Sequence, residues 1–198
     1  MKRAFDIVVA GLALIAFSPL MAIVALAVKL ESPGPVIYTQ PRIGKGGGVF
    51  KMYKFRTMRT DAGGAEAAVP VPQVSDFGAY VFDPLHGGKR YTRIGRFLRS
   101  ASLDELPNLV NVLKGDMSII GPRPEVPELV EQYLPEFHRR HEVRPGITGL
   151  AQTQGRGDLT YEETMQYDLE YVDDHSLLRD LKILAQTIPV VLSRKGAR

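Results

Sequence analysis

A chain of 198 residues, 44% hydrophobic and 24% charged, is long and apolar enough for one domain with a real core, which excludes disorder throughout. Its 25 Lys and Arg against 22 Asp and Glu leave a formal charge of +3, a mild balance that suits anionic partners and gives no ground for a nucleic-acid binder. With no cysteine there is neither a disulfide framework nor a thiolate metal site, which fits a cytoplasmic domain.

Ile7 to Val28 carries no ionisable side chain, and these 22 residues as one helix would cover roughly 33 Å, enough for a bilayer core. A spanning helix is one reading. A signal peptide is another, because Lys2-Arg3, the apolar run and Ala25-Leu26-Ala27 imitate its three regions, although Asp6 intrudes among the basic residues. Ser18-Pro19 interrupts the run, leaves one carbonyl without its helical donor, and calls for local polar repair that Ser18 can supply. The halves, Ile7 to Phe17 and Leu20 to Val28, are each only about 14 to 17 Å long, so a helix-break-helix hairpin that enters and returns is geometrically open. Lys2 and Arg3 favour an N-terminus kept inside, so a straight span would export everything after Lys29.

Val36 to Gln40 and Val49 to Met58 have strand composition and flank Gly44-Lys-Gly-Gly-Gly48, which predicts a β-hairpin around a glycine turn rather than a phosphate-binding loop. Lys54 and Arg56 share one strand face with Phe50, Met52 and Met58, and a solvated edge is the simplest role for both. Asp61 to Gly88 lacks periodicity and reads as a long mobile loop, to about residue 90, with Tyr80, Phe82 and His86 as aromatic groups for packing or for stacking on a sugar or base. Arg93, Arg96 and Arg99 then recur every three residues beside Ile94, Phe97 and Leu98, a cationic stripe on a short helix.

The densest stretch is Arg99 to Pro124. Leu103, Leu106, Leu109, Val110 and Leu113 predict one amphipathic helix from about 103 to 113, with Ser102 as N-cap and Glu105 completing a capping box. Asp104 and Glu105 then lie in its first turn, where the macrodipole holds carboxylates ionised. They are either ordinary first-turn acids or a carboxylate pair serving as nucleophile and metal ligand. Arg123, between Pro122 and Pro124, is a guanidinium on a stiffened backbone, suited to a bidentate phosphate contact.

Val126 to Phe137 outlines an amphipathic helix kinked at Pro135, ending in His138-Arg-Arg-His141, where capping or surface roles outrank metal binding for the histidines. Arg144-Pro-Gly-Ile-Thr-Gly149 is a loop that Ala151 to Gly157 continues, and Arg144 and Arg156 are either diphosphate contacts or loop braces. Thr160 and Glu163 form a second capping box. Leu177, Leu181, Leu184, Ile188 and Val191 make a last apolar stripe with Arg194, Lys195 and Arg198 behind it, a helix that packs on the core or lies on anionic lipid.

Ser102-Leu-Asp-Glu-Leu-Pro107, Asn111-Val-Leu-Lys-Gly-Asp-Met-Ser118 and Gly121-Pro-Arg-Pro124 resemble the bacterial sugar transferases, monotopic phosphoglycosyl transferases that act on polyprenol phosphate. Lys2-Arg3-Ala-Phe-Asp6, Lys54-Phe-Arg-Thr-Met58 and Arg144-Pro-Gly-Ile-Thr-Gly149 fit the same family in the same order, and the stretch 61 to 90 departs from it.

The resemblance implies a small mixed α/β catalytic domain over 31–198, fused to a re-entrant hairpin over 1–30, with amphipathic interfacial helices, on the cytoplasmic face of a bacterial inner membrane. Its reaction would move a phospho-sugar from a UDP-sugar to undecaprenyl phosphate and release UMP. Asp104 would be the nucleophile, Glu105 a metal support or acceptor activator, and Mg²⁺ the ion held by both. Lys54, Arg99 and Arg123 would clamp the phosphates, with Pro122, Pro124, Arg144 and Arg156 also at the substrate. A lipid-binding adaptor and a membrane-bound diphosphatase are the rival readings.

Overall fold

A computed structural model describes residues 1–59, 73–74, 76–80, 91–155 and 158–193, with the backbone alone at 192 and 193. Most of the expected loop over 61–90, Phe82 and His86 within it, Arg156, and the basic tail of Arg194, Lys195 and Arg198 lie outside the described residues.

The apolar run forms one uninterrupted helix, α1 (Lys2–Glu31), with Pro19 inside it. The break expected at Ser18-Pro19 does not interrupt the helix: Pro19 has no N–H to give to the Ile15 carbonyl, and the Ser18 hydroxyl donates to that same carbonyl at 2.9 Å. Both ends of α1 are tied to one body. Near the start, Lys2 donates to Asp180 at 2.6 Å, and the buried Asp6 accepts from the Ser118 hydroxyl and the Ile119 N–H. At the finish, the fully buried Arg56 guanidinium donates to the carbonyls of Val28, Ser32 and Pro33. One face of α1 packs inward through Ala10, Val24 and Val28, while Leu12, Ile15, Ile23 and Leu26 remain exposed.

Strands β1 (Ile37–Ile43) and β2 (Val49–Phe55) pair antiparallel, Tyr38 opposite Lys54, as the glycine turn predicts. Helix α2 (Arg93–Ser100) follows, then a 3₁₀ turn at Leu103–Glu105 and helix α3 (Asn108–Lys114). Strand β3 (Ser118–Ile120) precedes a short helix α4 (Pro127–Val130), a 3₁₀ run at Pro135–Glu142, and strand β4 (Gly146–Thr148), which pairs parallel with β3. Helices α5 (Leu150–Gln154), α6 (Tyr161–Asp173) and α7 (Leu177–Ser193) complete a small mixed α/β body.

Three expectations change. The single helix over 126–137 is replaced by α4 and the 3₁₀ run, because Pro135 withholds its N–H and starts a new element instead of kinking an old one. Residues 150–154 are helical rather than loop. On α7 the inward face is Asp180, Ile183 and Leu184, whereas Leu178, Leu181 and Ile188 stay exposed, so only part of the apolar stripe enters the core. The capping box at Thr160 and Glu163 forms as expected.

Two close approaches need glycine. A Cβ on Gly95 would stand 2.0 Å from the Thr57 carbonyl oxygen, and one on Gly146 would stand 2.1 Å from the Gly121 nitrogen. The first lets α2 sit on the chain beyond β2; the second closes β3 and β4 beneath the Pro122–Pro124 loop.

Candidate active site

Asp104 and Glu105 are not in the first turn of a long helix. Ser102 takes a left-handed conformation with φ 55° and makes no side-chain cap, and the acids sit in the 3₁₀ turn before α3. The Glu105 carboxylate does not fold back on Ser102 because it has two charged partners instead. Lys54 Nζ donates to Glu105 Oε1 at 3.0 Å, and Arg123 Nη2 donates to the same oxygen at 2.7 Å.

Asn111 sets this meeting up. Its buried side chain donates to the Lys51 carbonyl at 2.7 Å and accepts from the Tyr53 N–H at 3.0 Å, fastening α3 to β2. With that register fixed, Lys54 stands one residue further along the strand, against Glu105. Lys54 is thus no solvated edge residue, and burial pulls its ammonium below the ordinary lysine range.

The two neighbouring acids are driven apart. Burial alone would raise Glu105, yet Arg123 and Lys54 beside it outweigh that cost and hold it well below the usual carboxylate range. Asp104, 4% exposed, has burial as its largest influence and is pushed up, with Glu105 adding repulsion while Lys54, Arg99 and Arg123 pull the other way. The help expected from a helix macrodipole is missing at Asp104, since α3 begins only at Asn108. Titratable neighbours with opposed shifts are a frequent mark of acid and nucleophile chemistry.

Arg99, at the end of α2, lies with its guanidinium 5.6 Å from the centre of the Tyr91 ring, close enough for its charge to act on Asp104. Helix α2 is set by Thr92, which caps Gly95, and by Glu31 of α1, whose carboxylate accepts from the N–H groups of Arg93 and Ile94. Arg144 Nε donates to the Gly115 carbonyl at 3.0 Å and so braces the end of α3.

The Pro122–Pro124 loop has a distinctive anchorage. Its prolines donate nothing, and the carbonyls of residues 122 to 125 are held one by one: by the N–H of Gly146 (2.8 Å), Arg140 (2.6 Å), Arg42 (2.9 Å) and the N–H of Ile43 (2.9 Å). Arg123 itself keeps 38% of its side chain exposed. Among the described residues one guanidinium nitrogen, Nη2, is committed to Glu105, and the fork geometry of the group is one that suits an anion.

Sequence reasoning passed over Arg42, Arg140, Asp168 and Glu31, and gave Arg56 a solvated edge that its burial overturns. Arginines in a basic cluster or on a strand carry no signal of burial, because the acceptors that bury them are backbone carbonyls distant in sequence. The histidines follow the same lesson: His141 stacks on Tyr133 with ring planes 3° apart, and burial beside Arg140 lowers it to about 4. Tyr80 packs on Tyr161, so its role among the described residues is packing.

The donor set offers two adjacent carboxylates, one of them desolvated, and no group of three acids or histidines is present among the described residues. That is a poor cage for a structural metal; two carboxylates are the number Mg²⁺ takes where substrate phosphate and water complete its shell.

The profile of the bacterial sugar transferase family matches residues 1–194. Over 99% of its length the chain is 43% identical to the UDP-glucose:undecaprenyl-phosphate glucose-1-phosphate transferase of Caulobacter vibrioides, covering 71% of that protein. It is 42% identical over 99% of its length to exopolysaccharide production protein ExoY of Sinorhizobium fredii, covering 87% of it. It is 43% identical over 94% of its length to the undecaprenyl-phosphate glucose phosphotransferase of Komagataeibacter xylinus, of which it spans only 35%. The match runs through the long apolar helix α1, the paired acids and α7 alike, and the chain belongs to the bacterial sugar transferase family.

Proposed function

We propose that this chain transfers a phospho-sugar from a UDP-sugar to undecaprenyl phosphate, giving undecaprenyl-diphospho-sugar and UMP, and so starts assembly of an exopolysaccharide or other glycoconjugate. The observation that carries this reading is the desolvated Asp104 beside Glu105 bracketed by Lys54 and Arg123. Its relatives' names point the same way.

Phosphoryl transfer asks for an aligned nucleophile and neutralised charge. A carboxylate oxygen of Asp104 attacks the phosphorus that bears the sugar; the diphosphate P–O bond breaks, and UMP leaves with the bridging oxygen. A phosphate oxygen of the polyprenol then attacks the same phosphorus and frees the Asp104 carboxylate. Arg123 and Arg99 orient the diphosphate, and Lys54 with Arg123 keeps Glu105 ionised. Asp104 and Glu105 would hold Mg²⁺, which supplies charge neutralisation at the phosphate oxygens.

The proposed setting is the cytoplasmic face of a bacterial inner membrane, with α1 re-entrant. Support comes from the fastening of both α1 ends to one body, and from the exposed apolar faces of α1 and of α7 at Leu178, Leu181 and Ile188.

The test is UMP release from a panel of UDP-sugars with and without undecaprenyl phosphate, using the full chain in lipid nanodiscs. Acceptor-dependent turnover with product on the polyprenol supports the transferase. Sustained multiple turnover without acceptor would make it a diphosphatase. Lipid binding with no release would leave an adaptor.

A further inference from the structure

Behind Arg123 lies a buried polar cluster that the reaction as described does not use. Arg140, 3% exposed in the 3₁₀ run, donates from Nη1 to the Tyr133 hydroxyl at 2.5 Å. Its Nη2 donates both to the Arg123 carbonyl and to Asp168 Oδ2, each at 2.6 Å. Tyr133 in turn meets the Tyr161 hydroxyl at 2.7 Å, and Asp168 and Tyr161 both ride on α6. A charged pair this deep is a poor choice for stability alone, since an apolar pair of the same volume often does as well.

Among the described residues the cluster is hydrogen-bonded to the Pro122–Pro124 loop at the carbonyl of Arg123. Pro124 confines the backbone of Arg123 to extended conformations and Pro122 fixes the residue before it, so the loop is stiff around the one residue whose side chain carries the charge. Fixing the 123 carbonyl fixes the peptide plane from which the Arg123 side chain departs toward Glu105.

We propose that Arg140, held by Asp168, is a positioning residue for the transfer: through the Arg123 carbonyl it aims the Arg123 guanidinium at the donor diphosphate. The inference rests on the reading of Arg123 as the diphosphate clamp. Lysine at 140 keeps the charge, but its three N–H donors radiate from one nitrogen instead of two held apart in a plane, so the contacts to Tyr133 on one side and to Asp168 and the Arg123 carbonyl on the other are not all kept in place.

The experiment compares Arg140→Lys in the full chain with an otherwise unaltered background and with Arg123→Lys, reading donor kcat/KM and thermal midpoint in each. Arg140→Lys alone should lose on the order of tenfold to a hundredfold in kcat/KM, the scale of a misplaced catalytic contact. In the Arg123→Lys background it should lose less than about twofold, because the clamp it aims is already spoiled. The thermal midpoint should drop equally in both backgrounds. Equal activity losses in both, or none in either, overturn the proposal. Asp168→Asn, which keeps the shape, is read the same way should Arg140→Lys not fold. If the unaltered chain turns over no donor, the functional reading fails by itself, and the positioning is read from the NMR signals of the Arg123 guanidinium. Restricted rotation that is released by Arg140→Lys supports it; restriction that persists overturns it.

Discussion

Arg123 and Glu105, eighteen positions apart in the chain, meet at 2.7 Å, and the contact uses only one nitrogen of a guanidinium whose side chain is 38% exposed. The remaining nitrogens are what the diphosphate needs. Lysine at 123 has no second coplanar nitrogen to pair with the diphosphate while the first holds Glu105, so Arg123→Lys should keep the fold and lose turnover by about tenfold to a hundredfold, the worth of a hydrogen bond to a charged group at about 1.5–3 kcal/mol. Steady-state kinetics with the preferred UDP-sugar measures it. Full activity in both Arg123→Lys and Arg123→Ala would remove Arg123 from the clamp.

Those parts of the molecule whose cause is local were legible in the sequence. The β-hairpin around Gly44 to Gly48, the Thr160 capping box, the short helix carrying Arg99 and the Ser18 repair of Pro19 each follow from residues within a few positions of one another. The capping box expected at Ser102 failed for a reason no local pattern carries: Glu105 gains more from Lys54 and Arg123 than from a backbone N–H. The same blindness hid Arg56 and Arg140, whose burial depends on carbonyls supplied by other elements. Asp104 and Glu105 were found as a pair, but that they titrate apart is a property of their neighbours.

A second prediction concerns topology. A straight helix of 30 residues would be about 45 Å long, and fastening both its ends to one body leaves no way to put that body on one side of a bilayer and its far end on the other. Single cysteines at the exposed positions Ala4 and Lys29, in a chain that has none of its own, should both be shielded from an impermeant thiol reagent added outside intact cells. Labelling of Lys29→Cys from outside would end the re-entrant reading. Replacing Ser18 and Pro19 by leucines restores a helical donor, favours a straight span and should pull Glu31 from the start of α2, with loss of turnover.

The third follows from the upward shift of Asp104. A carboxyl whose folded pKa lies above its unfolded value of about 3.9 favours the folded state most when protonated, and that contribution is lost as pH rises through the folded pKa. Asp104→Asn, neutral at every pH, should therefore unfold at a higher temperature than the unaltered protein at pH 8, with the gap narrowing toward pH 4. Mg²⁺ binding needs the ionised form and should tighten as pH rises, with a slope that Asp104→Asn diminishes. Thermal unfolding across pH 4 to 8 and metal titration across pH 5 to 8 check both. An Asp104→Asn variant less stable than its parent at pH 8 would show that the carboxylate is well compensated.

The final prediction is that Asp104 becomes covalently attached to the phospho-sugar before the acceptor arrives. Glu105 is already bound by Lys54 and Arg123 through one oxygen and is too weak a base to be the better nucleophile, whereas the desolvated Asp104 keeps its basicity and becomes reactive once ionised beside bound cationic charge. Ping-pong kinetics should follow. Intact-protein mass after incubation with donor and Mg²⁺, without acceptor, should rise by one phospho-sugar in the unaltered chain and not at all in Asp104→Asn, which should still bind donor while losing turnover by orders of magnitude. Glu105→Gln should weaken the reaction less severely, because it loses the charge that holds Lys54 and Arg123 but leaves the attacking oxygen in place. UMP release that waits for acceptor, with no adduct on the protein, would mean direct transfer within a ternary complex, and Asp104 would then be a metal ligand rather than the nucleophile.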